Sequence, residues 1–197
     1  MTTHALSLPT LTGEKVTLRA WRCSDTAIVM EASQDPLIPH LTSVPTTSDE
    51  AEALAFIERQ HQRLRDRSGY AFAIADHDDT AIGHIGLFFV PGASGRASAG
   101  YWIARSRRRQ GFAKDALATL TSWAVTLEEL DRIELYVEPW NEGSWRVAEQ
   151  AGYEREGLLR NWKRVGGRLR DMYMYSQMTH RATAPRSDAS RELPSPW

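Results

Sequence analysis

Three parts of this sequence place chemically useful side chains at spacings that could do work. The first is Arg108-Arg109-Gln110-Gly111-Phe112-Ala113, which joins the end of a predicted strand to the start of a long predicted helix. The first helical turn has free backbone N–H groups and the positive end of the helix dipole, and Gly111 and Ala113 are small enough to admit a bulky anion such as a phosphate. The second is Asn141 with Ser144 three residues later, a cap and a hydroxyl on one face of a short helix. The third is the alternation Glu134, Tyr136, Glu138 opposite Ile133, Leu135, Val137, which carries Glu138 to the end of a strand. From there it could reach a cleft and act as a general base; the alternative is a solvent-facing carboxylate beside Pro139.

His84 is the other titratable candidate, although a histidine inside an apolar run is more often a hydrogen-bonded structural residue. Cys23 lies far along the chain from the basic loop and is a poor nucleophile candidate. Trp102, Trp140, Trp145 and Trp162 gather around the same segments, either to line a pocket or to fill core. No G-x-G-x-x-G turn and no G-x-x-x-x-G-K-[ST] loop is present, so the common nucleotide folds fit worse.

The elements that must hold these groups follow from periodicity. Lys15–Trp21 alternates Val16, Leu18 and Ala20 with polar neighbours and predicts a strand. Ser24-Asp25 caps a helix that Pro36 and Pro39 stop, and residues 37–45 read as loop. Thr47 and Glu50 form a capping-box pattern ahead of an amphipathic helix through Leu54, Ile57, His61 and Leu64. Strands are predicted at Tyr70–Ala75, Ala81–Val90 and Ala97–Ala104. Ala113, Leu117, Leu120, Ala124 and Leu127 share one helical stripe, and Arg132–Glu138 is a fifth strand ended by Pro139. A short helix from Asn141 closes at Gly152, and two further strands, 157–165 and 168–178, flank the Gly166-Gly167 hairpin turn.

The sum is a single α/β (α+β) domain over residues 15–178 with a mixed, mostly antiparallel seven-stranded sheet and one parallel crossover. Residues 1–14 form a lead and 179–197 a tail expected to be disordered or strapped on. With 24 basic and 25 acidic residues the chain has a net charge of −1, so it lacks the global field of a nucleic-acid or membrane binder. One cysteine excludes an internal disulfide or a multi-cysteine metal site and points to a reducing, cytoplasmic setting; no metal ligand set is expected. The longest apolar run, Ala81–Val90, is about half of a bilayer span.

Arg108, Gly111 and Ala113 occupy the fixed places of the Gln/Arg-x-x-Gly-x-Gly/Ala pattern, and in this the chain resembles the GNAT N-acetyltransferase superfamily. It is most similar to the RimJ/RimL-type ribosomal-protein branch. The similarity rests on Leu18-Arg19 with Asp25, Gly83–Leu87, Gly100–Ile103, Asn141 through Tyr153, Gly157–Arg160 and Asp171–Tyr173.

The resemblance implies helices on both faces and two central parallel strands splayed around acetyl-CoA. The cosubstrate's diphosphate would lie on Arg108, Arg109, Gln110, Gly111, Phe112 and Ala113, and its pantetheine arm along Trp102, Ile103 and Ala104. Asn141 either binds that arm or a water, or serves only as a helix cap. Many relatives place a proton-donating tyrosine where this chain has Ala148; Ser144 matches the serine of RimJ/RimL-type enzymes and is the expected general acid.

Relatives with a glutamate near the reacting amine have it where Ser98 stands here, which leaves Glu138, His84 or water as base. The implied acceptor is a primary amine, foremost a protein or peptide N-terminal α-amine and next a small amine. A sensor that binds acyl-CoA without turnover is the non-enzymatic alternative, and self-association as a homodimer is left open.

Overall fold

The computed structural model describes residues 8–179. The apolar alternation builds eight strands: β1 (Leu11–Thr12), β2 (Thr17–Arg19), β3 (Gly69–Ala75), β4 (Ala81–Phe89), β5 (Gly95–Ile103), β6 (Leu130–Val137), β7 (Glu154–Val165) and β8 (Arg168–Met178). They lie in one sheet in the order β1-β2-β3-β4-β5-β6-β8-β7. Only the β5–β6 pair is parallel; every other neighbouring pair is antiparallel.

The expected seven strands become eight because Leu11 and Thr12, in the lead segment, pair with Leu18 and Thr17. Two residues are too few for a period to be read. The expected tail falls almost wholly outside the described residues. Its first residue, Thr179, is buried and donates from its backbone N–H to Asp131 and from its hydroxyl to Leu130.

Five helices cover the sheet: α1 (Thr26–Ser33), α2 (Ile38–Leu41), α3 (Glu50–Arg65), α4 (Phe112–Ala124) and α5 (Glu142–Gln150). Side chains alternate between two apolar layers. Phe72 and Ile74 join Leu117 and Leu120 of α4 on one face, while Ala73 and Trp102 join Val29 of α1 and Phe56 of α3 on the other. Of the predicted α4 stripe, Leu117, Leu120 and Ala124 are buried and Ala113 is half-buried, while Leu127 lies past the end of the helix; Ala116 joins the buried face.

Two local expectations are corrected. Residues 37–45 contain a helical turn, α2, because the Asp35 carboxylate accepts from the N–H groups of Leu37 and Ile38. Pro39 sits in that first turn, where its missing N–H leaves no bond unmade. The cap of α3 is Asp49 rather than Thr47: its carboxylate accepts from the N–H groups of Ala51 and Glu52. At the far end, Gly166 (φ 54°) and Gly167 (φ 78°) make the tight β7–β8 turn, a conformation that suits glycine at both places.

Arg19 and Asp25 form a buried two-pronged ion pair, at 2.8 and 3.0 Å, that ties the end of β2 to the start of α1. Among the described residues no helix is long and apolar enough to cross a membrane.

Candidate active site

The parallel pairing of β5 with β6 is short. It runs from Gly95–Ser98 against Leu130–Glu134 and then stops, while β5 continues along β4 to Ile103 and β6 along β8 to Val137. Where the strands part, a cleft of about 540 Å³ opens between Ala99–Trp102 on one wall and Leu135–Glu138 on the other. Its size is that of a small-molecule site. Glu134 sits at the fork, wholly buried, and accepts from Arg96 Nε and Arg132 Nε at 2.8 Å each and from the Tyr136 hydroxyl at 2.7 Å. Burial alone would raise its pKa, but these donors hold the carboxyl below its ordinary value, so the fork is pinned by a satisfied charge.

Beyond the end of β5 the chain makes one 3₁₀ turn, Arg105–Arg107, and enters α4 through Gly111 at φ 86°. The N-terminus of α4 has no side-chain cap, so the first-turn N–H groups of Phe112, Ala113 and Lys114 are left to an incoming anion. The Asp115 carboxylate, one turn in, is turned away and accepts from the N–H groups of Glu14, Lys15 and Val16 at 3.2, 2.8 and 3.0 Å. Lys15 Nζ donates to the Gln110 carbonyl at 3.1 Å and fixes the approach to the turn.

The arginines divide in their roles. Arg109, at φ 65°, and Gln110 are exposed on the loop. Arg108 is turned elsewhere: its Nε donates to the Ile103 carbonyl at 3.0 Å and its terminal nitrogen pairs with buried Asp35 at 2.8 Å. Its charge is therefore committed to bracing the loop against the α1–α2 connection. A second brace lies beside it, where Ser106 donates through its N–H and hydroxyl to the two Glu31 oxygens at 3.0 Å each.

Of the three strand residues expected along the pantetheine arm, the structure turns only one backbone toward the gap. The Ala104 N–H donates to Ile82 of β4 at 3.0 Å, and strand alternation sends the Trp102 amide to β4 as well. Ile103 faces the gap, as does Tyr101 by the same alternation. The Trp102 side chain packs in the second apolar layer against Trp21 and His84.

The helix start behaves as its sequence suggests. Asn141 Oδ1 accepts from the Ser144 N–H at 3.2 Å, so the capping reading is realised, and Asn141 still lines the cleft. The Ser144 hydroxyl is not spent on capping. It lies 2.9 Å from the Tyr101 hydroxyl, inside the cleft. Burial pushes the Tyr101 phenol up to about 12, with the Ser144 hydrogen bond opposing only in part, so it keeps its proton across the physiological range.

Glu138 is buried, against the alternative of a solvent-facing carboxylate, and lines the cleft. It accepts from Trp140 Nε1 at 2.7 Å and has Arg170 at 3.5 Å. His84 is unsuited to act as a base: burial drives its pKa down to about 3, Nδ1 accepts from Trp21 Nε1 at 3.3 Å, and the ring also hydrogen-bonds the Phe72 backbone.

This layout, a split parallel pair followed by an uncapped helix start, coincides with a sequence match to the acetyltransferase (GNAT) domain over residues 15–154. The chain belongs to the GNAT acetyltransferase family. It is 30% identical over 170 residues to an uncharacterized N-acetyltransferase, p20, of Bacillus licheniformis, covering 86% of this chain and 96% of that one. Its fold is shared with Mycobacterium smegmatis RimJ in complex with CoA-disulfide (TM-score 0.75, 24% identity, 89% and 90% of the two chains). It is shared also with the microcin C7 self-immunity acetyltransferase MccE in complex with acetyl-CoA and AMP (TM-score 0.74, 17% identity, 88% and 98%).

In this GNAT acetyltransferase two site residues escape a reading of the sequence by pattern. Tyr101 sits in the Gly100–Ile103 segment, yet nothing local says that its hydroxyl meets Ser144, 43 residues away. Asp35 is hidden among the prolines after α1. Against the desolvation that would raise it, the Leu37 and Ile38 N–H groups and Arg108 hold its pKa below the ordinary value. Asp35→Ala is expected to lower unfolding free energy by about 2 kcal/mol, less than for a fully buried pair because Arg108 is part-exposed. Urea unfolding checks this, and an unchanged midpoint would show the brace to be dispensable.

His84 gives a second expectation. Its folded pKa lies below the unfolded value of 6.5, so the stability it contributes is complete above that pH and is lost as pH falls toward about 3. Through that window the wild-type chain should lose up to about 1.4 kcal/mol per pH unit more than His84→Gln, measured as the difference of two denaturation series.

Proposed function

We propose that this N-acetyltransferase takes its acetyl group from acetyl-CoA and delivers it to a primary amine, foremost the α-amine at a protein or peptide N-terminus, by direct attack within a ternary complex. The observation that carries the reading is the parting of β5 from β6 at Ser98 and Glu134, with the uncapped start of α4 on the loop that follows β5. The residues present fit the cosubstrate. The N–H groups at 112–114, with Arg109 and Gln110 beside them, would receive its diphosphate, and the gap-facing backbone of Ile103 and Tyr101 would align its arm. Bound there, acetyl-CoA supplies an activated thioester.

The chain's own residues then have two tasks. Ser144 Oγ donates a proton to the departing sulfur and regains one from solvent, while the Tyr101 phenol, which keeps its own proton, holds the hydroxyl in place at 2.9 Å. Deprotonating the incoming amine asks less, because an α-amine with a pKa of about 7.7–8.0 is already neutral in part near pH 7. Glu138, on the opposite wall of the cleft and held in place by Trp140 and Arg170, accepts the proton that the amine loses.

The test is an acetyl-CoA consumption screen over N-terminal peptides and small amines. Steady turnover with peptides is expected. Binding of CoA with no consumption for any amine would favour the sensor reading, and turnover confined to small amines would move the acceptor class.

A further inference from the structure

The charges around the acceptor side of the cleft are one-sided, although the chain as a whole carries a net charge of −1. Arg63, Lys163 and Arg164 line the cleft together with Ser144 and Tyr101, and the sole carboxylate among its described lining residues is Glu138. That carboxylate already faces Arg170 and Trp140 Nε1.

Arg63 is the most informative of the three. It reaches in from the last turn of α3, part-buried, with its guanidinium 4.6 Å from the centre of the Phe88 ring. Its one hydrogen bond among the described residues goes to the neutral Gln60 side chain at 3.2 Å, and no carboxylate pairs with it. Desolvation and nearby Arg59 both work against its charged form, and only the Phe88 ring and the neutral Gln60 side chain offset them, with no opposite charge paired to it among the described residues. Such a group gains when an anion arrives.

Lys163 and Arg164 stand on a different wall, the end of the β7–β8 hairpin. There five of the eleven residues from Arg160 to Arg170 are basic and none is acidic. Neither Lys163 nor Arg164 is in an ion pair among the described residues; Arg164 donates only to the Gly167 carbonyl, at 2.7 Å. Cations on two walls, one deep and one at the rim, suit an acceptor that bears more than one negative group along an extended chain. The same arrangement repels polyamines, whose amines come with further positive charges.

We propose that the preferred acceptor is a peptide or protein N-terminus followed by acidic residues, read by Arg63 within the cleft and by Lys163 and Arg164 at its rim. The inference rests on the proposed acetyl transfer to an α-amine and names its substrate class. Single-stranded nucleic acid is the competing occupant of a basic hairpin with exposed Trp162 beside it. The peptide is favoured because Arg63 lines the same cavity as the Ser144 hydroxyl, so an acceptor held there for transfer would meet both.

The experiment uses the full-length protein with acetyl-CoA and three peptides that share an N-terminal alanine and differ in having two glutamates, two lysines or two serines next. The acidic peptide is expected to exceed the basic one in kcat/KM by at least about tenfold, with the ratio shrinking as salt is raised. Arg63→Glu should collapse or invert the ratio; Lys163→Glu, at an exposed position, should reduce it and serves if the first variant does not fold.

Turnover that is blind to peptide charge, or a ratio untouched by both variants, overturns the inference and leaves acetyl transfer standing. Failure to acetylate any of the three overturns the transfer reading instead, and calorimetric binding of the same peptides then decides the charge preference by itself. Displacement of the acidic peptide by an equimolar single-stranded RNA oligomer would assign the surface to nucleic acid.

Discussion

Gly111→Glu is expected to abolish coenzyme A binding, raising the dissociation constant by at least about a hundredfold while the fold survives. Two effects add at this position. The backbone there has φ 86°, which side chains other than glycine adopt at a cost of about 1–2 kcal/mol. The Cβ itself would stand 3.3 Å from Lys15 Nζ, the end of a flexible side chain that can move aside by a few tenths of an ångström. The new carboxylate would place negative charge at the uncapped helix start and repel the diphosphate that those N–H groups are proposed to receive. Gly111→Asn separates the causes, because asparagine tolerates the left-handed conformation and adds no charge; it should keep most of the affinity. Calorimetry with coenzyme A reads both variants, with thermal melting as the check on folding. Affinity retained within about threefold in the glutamate variant would remove this loop from the cosubstrate site.

Ser144→Ala should do the opposite, leaving coenzyme A binding intact and lowering kcat by about 10²–10³-fold. The hydroxyl makes no capping bond, since Asn141 supplies the cap, so its loss spares the helix. It does remove the group closest to the Tyr101 phenol. Tyr101→Phe should produce a smaller fall, because it removes the hydroxyl that positions Ser144 Oγ and leaves the serine itself in place. Since the phenol titrates only near pH 12, the rate profile between pH 6 and 10 should show no inflection from it. Undiminished turnover in Ser144→Ala would hand the proton to water and end the assignment.

What could be read from the sequence, and what could not, follows from the range of the interactions. The α4 stripe, the Asn141 cap and the Gly-Gly hairpin depend on neighbours within a turn or two, and each stands where periodicity or turn chemistry puts it. The segments of α2 and β1 are too short to show a period, and Pro39 speaks for a loop although Asp35 caps a helical turn there. Alternation puts Glu134 and Glu138 on one face of β6 but leaves open whether Glu138 meets a cleft or solvent. Here both sides of the sheet are covered, and the carboxylates are buried against arginines from other strands or a tryptophan. The diversion of Arg108 to Asp35 joins residues 73 positions apart, and no local pattern carries that information.

The clasp that Asp115 makes on the N–H groups of Glu14, Lys15 and Val16 bears on how this protein can be shortened. Similarity to the family begins at residue 15, an inviting place to start an expression clone. A chain begun there would keep every aligned position yet lose one of the three amides and gain a charged, mobile amino group beside the helix that is to grip the diphosphate. The residues just ahead of the recognisable domain thus belong to its working parts, and Gly13, where a methyl group would strike the Asp115 oxygen at 2.5 Å, is shaped to let them in.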